Sequence, residues 1–185
     1  MSDLRHLTIQ QLEAGLEHIR QSPPDNGVLQ LIVRRPGIDE REVLEQAELC
    51  PRRGLVGDTW LPRGSTRTPD GSPDPATQIN IMNARVIALV AGERARWQLA
   101  GDQLYIDLDL SAGNLPPGTR LALGSAVLEV TAEPHTGCKK FMARFGPDAN
   151  KFVNSPLGKQ LHLRGINARV LQPGVIRVGD IATRA

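Results

Sequence analysis

LALGSAVLEVTAEPHTGCKKFMARFG, residues 121–146, decides how the rest of the chain is read. Its first half holds two short alternating strands, TRLALG and AVLEVTA, split by Gly124 and Ser125. Pro134 ends the second strand. Thr136 can then cap a short helix that Gly146 stops, which puts Cys138 in the first turn.

The same grammar of short strands and sharp turns continues on both sides. Upstream, VLQLIVR (28–34) reads as a strand, Pro36-Gly37 as a turn and EVLEQAELC (42–50) as an extended segment. GLVGD (54–58) closes that segment with a Gly-Asp turn, and QINIM (78–82) is a short apolar strand. Asn83 can cap a helix running to Ala91, with Gly92 as its stop. QLYIDLDL (103–110) alternates, with Leu104, Ile106, Leu108 and Leu110 facing one way. Downstream, the connection from Asn154 to Lys159 is polar, and INARVLQPGVIRVGDIA (166–182) reads as strand, turn, strand.

About eight short strands against two or three helices predict a mainly β fold of the α+β class. The expected form is a closed or partly open β-barrel, not a doubly wound sheet. One helix stands apart. Thr8 and Gln11 have capping-box spacing, Leu7 and Leu12 form a staple, and Leu12, Leu16 and Ile19 share a face up to Arg20. Residues 1–27 are therefore expected to be an N-terminal helix and linker packed on a main domain of residues 28–185. Four prolines and two glycines leave no regular structure expected in residues 61–77, a loop carrying Arg63 and Arg67.

Composition narrows the function. A chain of 185 residues, 40% hydrophobic and 23% charged, suits one globular domain. A net charge of +2 and only 3% aromatic residues argue against nucleic acid as a partner. No basic start leads into an apolar run, and the longest such run, Val86–Ala91, is far below a membrane span. A cytoplasmic protein with no membrane partner is expected. Its two cysteines, Cys50 and Cys138, are then expected as free thiols.

The residues around Cys138 allow two readings. At the start of a helix, backbone N–H groups favour negative charge, and Lys139, Lys140, Arg144 and His135 add positive potential. That setting favours a thiolate and suits an anion such as phosphate. Yet Cys138, Phe141, Met142 and Phe145 also share one apolar face, where a cysteine commonly packs as core. The residues alone leave both readings open.

Other groupings say less. His135, Cys138, His162 and Cys50 lack the CxxC or HxxxH spacing of a zinc site, so structural zinc is not expected. Asp58 and Asp180 each follow glycine and suit turns. Arg164 and Gly165 precede a strand and can place a guanidinium at its end. There is no P-loop, GxGxxG or GxSxG.

Taken in order, GLVGD, QINIM, LALGSAVLEVTAEPHTGCKKFMARFG and LRGINARVLQPGVIRVGD resemble the MOSC domain, named after the C-terminal part of molybdenum cofactor sulfurases. The resemblance runs from about Leu29 to Ile181 and is closest to the stand-alone bacterial type. It implies a strand-rich barrel, binding of molybdenum cofactor (molybdopterin) or a related phosphorylated anion, and handling of sulfur. Cys138 matches the motif cysteine, which implies a metal ligand for molybdenum or a persulfide carrier. His135 beside it is expected to shuttle a proton or steady the thiolate. Lys139, Lys140, Arg144, Arg164 and Arg67 are then the expected cofactor-binding residues. The implied activity is a molybdenum-cofactor-dependent reductase of N-hydroxylated compounds or a sulfur transferase. The alternative is a non-catalytic module that delivers sulfur or cofactor to a reductase or molybdoenzyme partner. Pyridoxal phosphate belongs to the aminotransferase-like part of the larger sulfurases; with no Schiff-base lysine context in this sequence, it is not expected. Asp102, Gln103 and Leu104 stand where many relatives carry an acidic residue, Asn and Leu.

Overall fold

Strand β1 (Gly27–Arg34) organises the fold, and the computed structural model describes it within residues 6–185. On one side β1 pairs antiparallel with β6 (Leu104–Asp107). At its start it pairs with β11 (Ile181–Arg184), through Gly27 with Ala182 and Val28 with Ile181. From β11 the pairing runs through β7 (Arg120–Leu123), β8 (Ala126–Val130), β9 (Ile166–Gln172) and β5 (Ile79–Asn83) back to β6. Seven strands thus close a barrel, in which β5 and β6 are the parallel pair. Strand β2 (Glu42–Leu44) extends β1 outside the ring. A separate sheet of β10 (Gly174–Arg177), β3 (Gln46–Cys50) and β4 (Gly54–Leu55) buttresses it.

The alternation read in the sequence builds the barrel interior. Leu121 and Leu123 of β7, and Ala126, Leu128 and Val130 of β8, point inward with Leu29, Ile81 and Ile106. Aliphatic side chains fill the lumen, as in small barrels generally. The outward residues of β1, β5 and β6 are also apolar. Leu31, Val33, Met82 and Tyr105 pack beneath α4 (Ala84–Ala91), α5 (Lys139–Phe145) and α6 (Pro147–Asn154). A strand covered on both faces reads as a continuous apolar run, which is why VLQLIVR scarcely alternates.

Several local expectations change. The N-terminal helix keeps its capping box, with Gln11 N–H donating to Thr8 Oγ1. It divides at Gly15 into α1 (Ile9–Ala14) and α2 (Leu16–Arg20), because glycine weakens a helix interior. Residues 61–77 are not wholly irregular. A short helix α3 (Trp60–Arg63) opens the segment, since Asp58 accepts the Trp60 N–H and the indole is buried. A 3-10 turn, Pro75–Thr77, ends it. The polar stretch near Asn154–Lys159 is helical: α6 and α7 (Pro156–Gln160) each begin on a proline, where its missing N–H is harmless. Arg94–Ala100 forms a further 3-10 segment. The strand after Pro173-Gly174 does not fold back on β9; it leaves to pair with β3. Cys50 and Cys138 are both free thiols. Among the described residues, no helix is long and apolar enough to cross a membrane.

Candidate functional site

The site is built where β8 runs out into residues 131–138 and α5 begins. Cys138 is the N-cap of α5 rather than part of its first turn, and its backbone is extended. Phe141 and Phe145 anchor the helix from below, their rings 5.0 Å apart and buried. Met142 and Cys138 are exposed, so the expected four-residue apolar face is only a pair. Asn154, at the end of α6, fixes the preceding turn. Its Oδ1 accepts the Gly137 N–H at 2.9 Å, and its Nδ2 donates to the Gly137 carbonyl at 3.0 Å. A Cβ on Gly137 would lie 2.4 Å from Asn150 Oδ1, so only glycine lets the turn sit this close.

Behind the thiol lies a buried carboxylate. Asp102 Oδ1 is 2.8 Å from His135 Nε2, and Asp102 Oδ2 accepts from Arg164 Nη1 at 2.6 Å. Arg164 also donates to the Ala100 carbonyl and lies over the Phe141 ring, 4.9 Å from its centroid. Its Nε is buried without a partner. Burial pushes the Asp102 pKa up, but the Arg164 charge, then His135 and their hydrogen bonds, outweigh it and leave it below the ordinary value. Burial, followed by the Arg164 charge, lowers His135 despite the opposing carboxylate. An ionised Asp102 can only accept, so His135 keeps its proton on Nε2 and leaves Nδ1 as the acceptor. Gly165 makes the packing possible. Its φ is +115°, and a Cβ there would lie 2.3 Å from the Ile81 carbonyl and 3.2 Å from His135 Cδ2.

A second buried pair stands opposite. Asp58 holds Arg35 through Nε at 2.9 Å and Nη2 at 2.7 Å, and accepts the Arg35 N–H as well. Arg35 Nη1 donates to Asn80 Oδ1 and to the Gly101 carbonyl. Asn80 donates onward to Asn167 Oδ1 at 2.6 Å. Gln103 accepts the Asn80 N–H and so braces the site from behind. Asp58 thus does more than complete a turn, whereas Asp180 does that alone, accepting the Arg177 N–H.

The two networks face one basic cleft with two lobes. One lobe, about 770 Å³, lies between the 63–71 loop and residues 134–138. The other, about 520 Å³, lies toward α5. Arg35, Arg63, Asn80, His135, Cys138 and Arg164 line both. The anticipated residues distribute unevenly around the cleft. Arg164 is buried in its wall, and Arg67 lines the first lobe while pairing with Glu133. Lys140 and Arg144 line the second lobe and share Asp39. Lys139 is exposed and lines neither lobe. Cys50 and His162 lie outside the cleft as well.

The cations left without a carboxylate, among the described residues lining the cleft, are Arg63 and Arg41. Burial and then Arg35 lower the Arg63 pKa; burial, then Arg144 and Arg35, lower that of Arg41. Like charge therefore accumulates there, only partly offset by Asp58 near Arg63 and Asp39 near Arg41. Arg41, the buried Arg35 and Asn167 and the half-buried Asn80 did not stand out beforehand, and Asp58 stood out only as a turn residue. For Arg35 the one available signal was an arginine at the end of an apolar strand.

Residues 75–183 of the chain match the MOSC domain family. No curated protein sequence matches it. Among solved structures, the chain is similar to the YuaD protein from Bacillus subtilis, with a TM-score of 0.62 and 18% identity over 86% of this chain and 96% of that one. It is also similar to YiiM from Escherichia coli, with a TM-score of 0.54 and 15% identity over 85% and 69% of the two chains. YiiM from Geobacillus stearothermophilus gives a TM-score of 0.54 and 16% identity over 87% and 73%. At these identities the likeness is one of fold.

Proposed function

The chain belongs to the MOSC domain family, and from that membership we propose that its cleft binds molybdenum cofactor or a related phosphorylated anion through Cys138. The observation that carries this reading is one exposed thiol on the lip of two contiguous basic lobes. The residues present fit such a group. A single soft thiolate suits a metal whose other ligands come from its own organic cofactor. Arg63 and Arg41, which form no salt bridge among the described residues, offer their charge to phosphate, and the unpartnered Arg164 Nε is one more buried donor in the wall.

When bound, the cofactor would supply the two-electron chemistry that turns an N-hydroxylated compound, two electrons and two protons into the amine and water. The protein's own groups have simpler tasks. Arg35 and Arg164 are held by Asp58 and Asp102, so they shape the walls rather than move to a ligand. His135 presents Nδ1 as a proton acceptor while Asp102 holds the opposite side of its ring. Asn80 and Asn167 fix the floor by bonding each other.

The test is metal and pterin analysis of protein purified anaerobically from cofactor-competent cells. Wild type is expected to carry molybdenum and pterin together, and Cys138→Ala to lose the metal. Wild type with neither overturns the reading. The exposure of Cys138 favours a second reading, a persulfide carrier that passes sulfur to a partner enzyme. That reading expects cyanide-labile sulfur on Cys138 in metal-free protein, and fails if none forms in the presence of a sulfur donor.

A further inference from the structure

Beyond the 134–136 segment, on the side away from Arg63, lies another cavity of about 520 Å³. Its walls are mainly hydrocarbon, from Leu115, Val130, Val153 and Ile166. His135, Thr136 and Asn167 line it and the first lobe of the basic cleft alike, so the two spaces share one wall. The volume falls within the range of about 300–1,000 Å³ usual for small-molecule sites.

One polar group in this cavity is held in an unusual way. Helix α7 ends in a Schellman motif, with Leu163 N–H bonded to the Gly158 carbonyl and His162 N–H to that of Lys159. The residue at the left-handed position of that motif is normally glycine. Here it is His162, at φ +49°. Its Nδ1 lies 2.7 Å from the Leu110 carbonyl, which can only accept, so the proton sits on Nδ1. Nε2 is left as an acceptor with no protein partner among the described residues. A histidine kept where glycine fits better, with one nitrogen fixed and the other free, has the form of a recognition group.

We propose that this cavity binds a small, uncharged, largely apolar molecule that carries one N–H donor. Its hydrocarbon part would lie against Leu115, Val130, Val153 and Ile166, and the N–H would be given to His162 Nε2. A charged ligand is disfavoured: the walls offer hydrocarbon, Glu133 is already paired with Arg67, and Lys159 is exposed at the rim. As a binding site this stands alone; as the substrate pocket beside His135 it rests on the cofactor reading above.

Indole is the probe, titrated into the full chain and followed by ¹H–¹⁵N correlation spectra. Saturable shifts are expected at Thr131, Val153, Gly158 and Ile166, and none at Arg63 or Lys140. Ala132→Trp, a change at an exposed residue of the cavity wall, should abolish them. His162→Gly suits the left-handed turn, so the fold persists, and indole binding should weaken about fivefold, the loss of one hydrogen bond. 1-Methylindole, which has no N–H, should bind wild type and His162→Gly equally. No saturable shift with indole, shifts centred on Arg63 and Lys140, unchanged binding in Ala132→Trp, or 1-methylindole binding wild type as tightly as indole would overturn the proposal. None of these outcomes bears on the metal analysis, so the two readings fail separately.

Discussion

The side-chain amide of Asn154 brackets the backbone of Gly137, accepting from its N–H and donating to its carbonyl. The end of α6 therefore sets the position of the cysteine one residue further on. Asn154→Ala should lower stability by about 1–3 kcal/mol, the range for two modest hydrogen bonds. It should also broaden the Cys138 amide signal by NMR. A sharp, unshifted Cys138 signal in that variant would show the bracket to be dispensable. Gly137→Ala, whose Cβ meets Asn150 Oδ1 at 2.4 Å, should be worse.

Asp102 neutralises Arg164 inside the protein, and both are buried. Asp102→Asn leaves that guanidinium without a counter-charge, which typically costs about 3–5 kcal/mol. Chemical denaturation of the variant is expected to show a loss on that scale. A loss below about 1 kcal/mol would mean that Arg164 finds another partner or water.

Acid should weaken the fold in two stages. Burial, then Arg164, lowers the His135 pKa beneath its ordinary 6.5, so the unfolded chain gains a proton there that the folded chain does not. This contribution is present above pH 6.5 and is lost as pH falls below it, at no more than about 1.4 kcal/mol per pH unit. Asp102 is also lowered, and its contribution is lost as pH falls below 3.8 toward its folded value. Urea midpoints between pH 7 and 5 should decline for wild type and flatten for His135→Gln. Parallel curves would remove His135 as the cause.

Cys138→Ser should leave the melting temperature unchanged, because the side chain is exposed and supports no packing. Iodoacetamide should label both free thiols in wild type and only Cys50 in the variant. A large drop in melting temperature would return Cys138 to the core.

Leu12 is fully buried in the outer apolar layer. Leu12→Ala should cost about 2–5 kcal/mol. If residues 1–27 pack as part of the main domain, unfolding stays a single transition. Separate transitions by tryptophan fluorescence and circular dichroism would make the N-terminal helices an independent unit.

What could be read in advance was local. The Thr8 cap, the Asn83 cap and the strand alternation of Leu121–Val130 each depend on neighbours a few residues away, and each is present. The barrel followed from many such short strands. The site networks were hidden because their members meet only through folding. Arg35 and Asp58 are 23 residues apart, His135 and Asp102 33, and Arg164 and Asp102 62. The stretch from Asn154 to Lys159 read only as a polar connection, yet Pro147 and Pro156 begin helices beside and within it, because proline is tolerated in the first turn. Pro173-Gly174 suggested a hairpin, but Ile176 finds its burial in the separate three-stranded sheet.

The pairing of Gly27 with Ala182 sets a schedule for synthesis. The ring has no way to shut until residue 182 has left the ribosome, so every shorter nascent chain leaves the start of β1, Gly27 and Val28, without its β11 partner and the barrel interior open to water. Loop closure over so long a separation is slow. Newly made chains should therefore depend on trigger-factor-like holdases more than their size implies, and a circular permutant that joins β11 directly to β1 should escape that dependence.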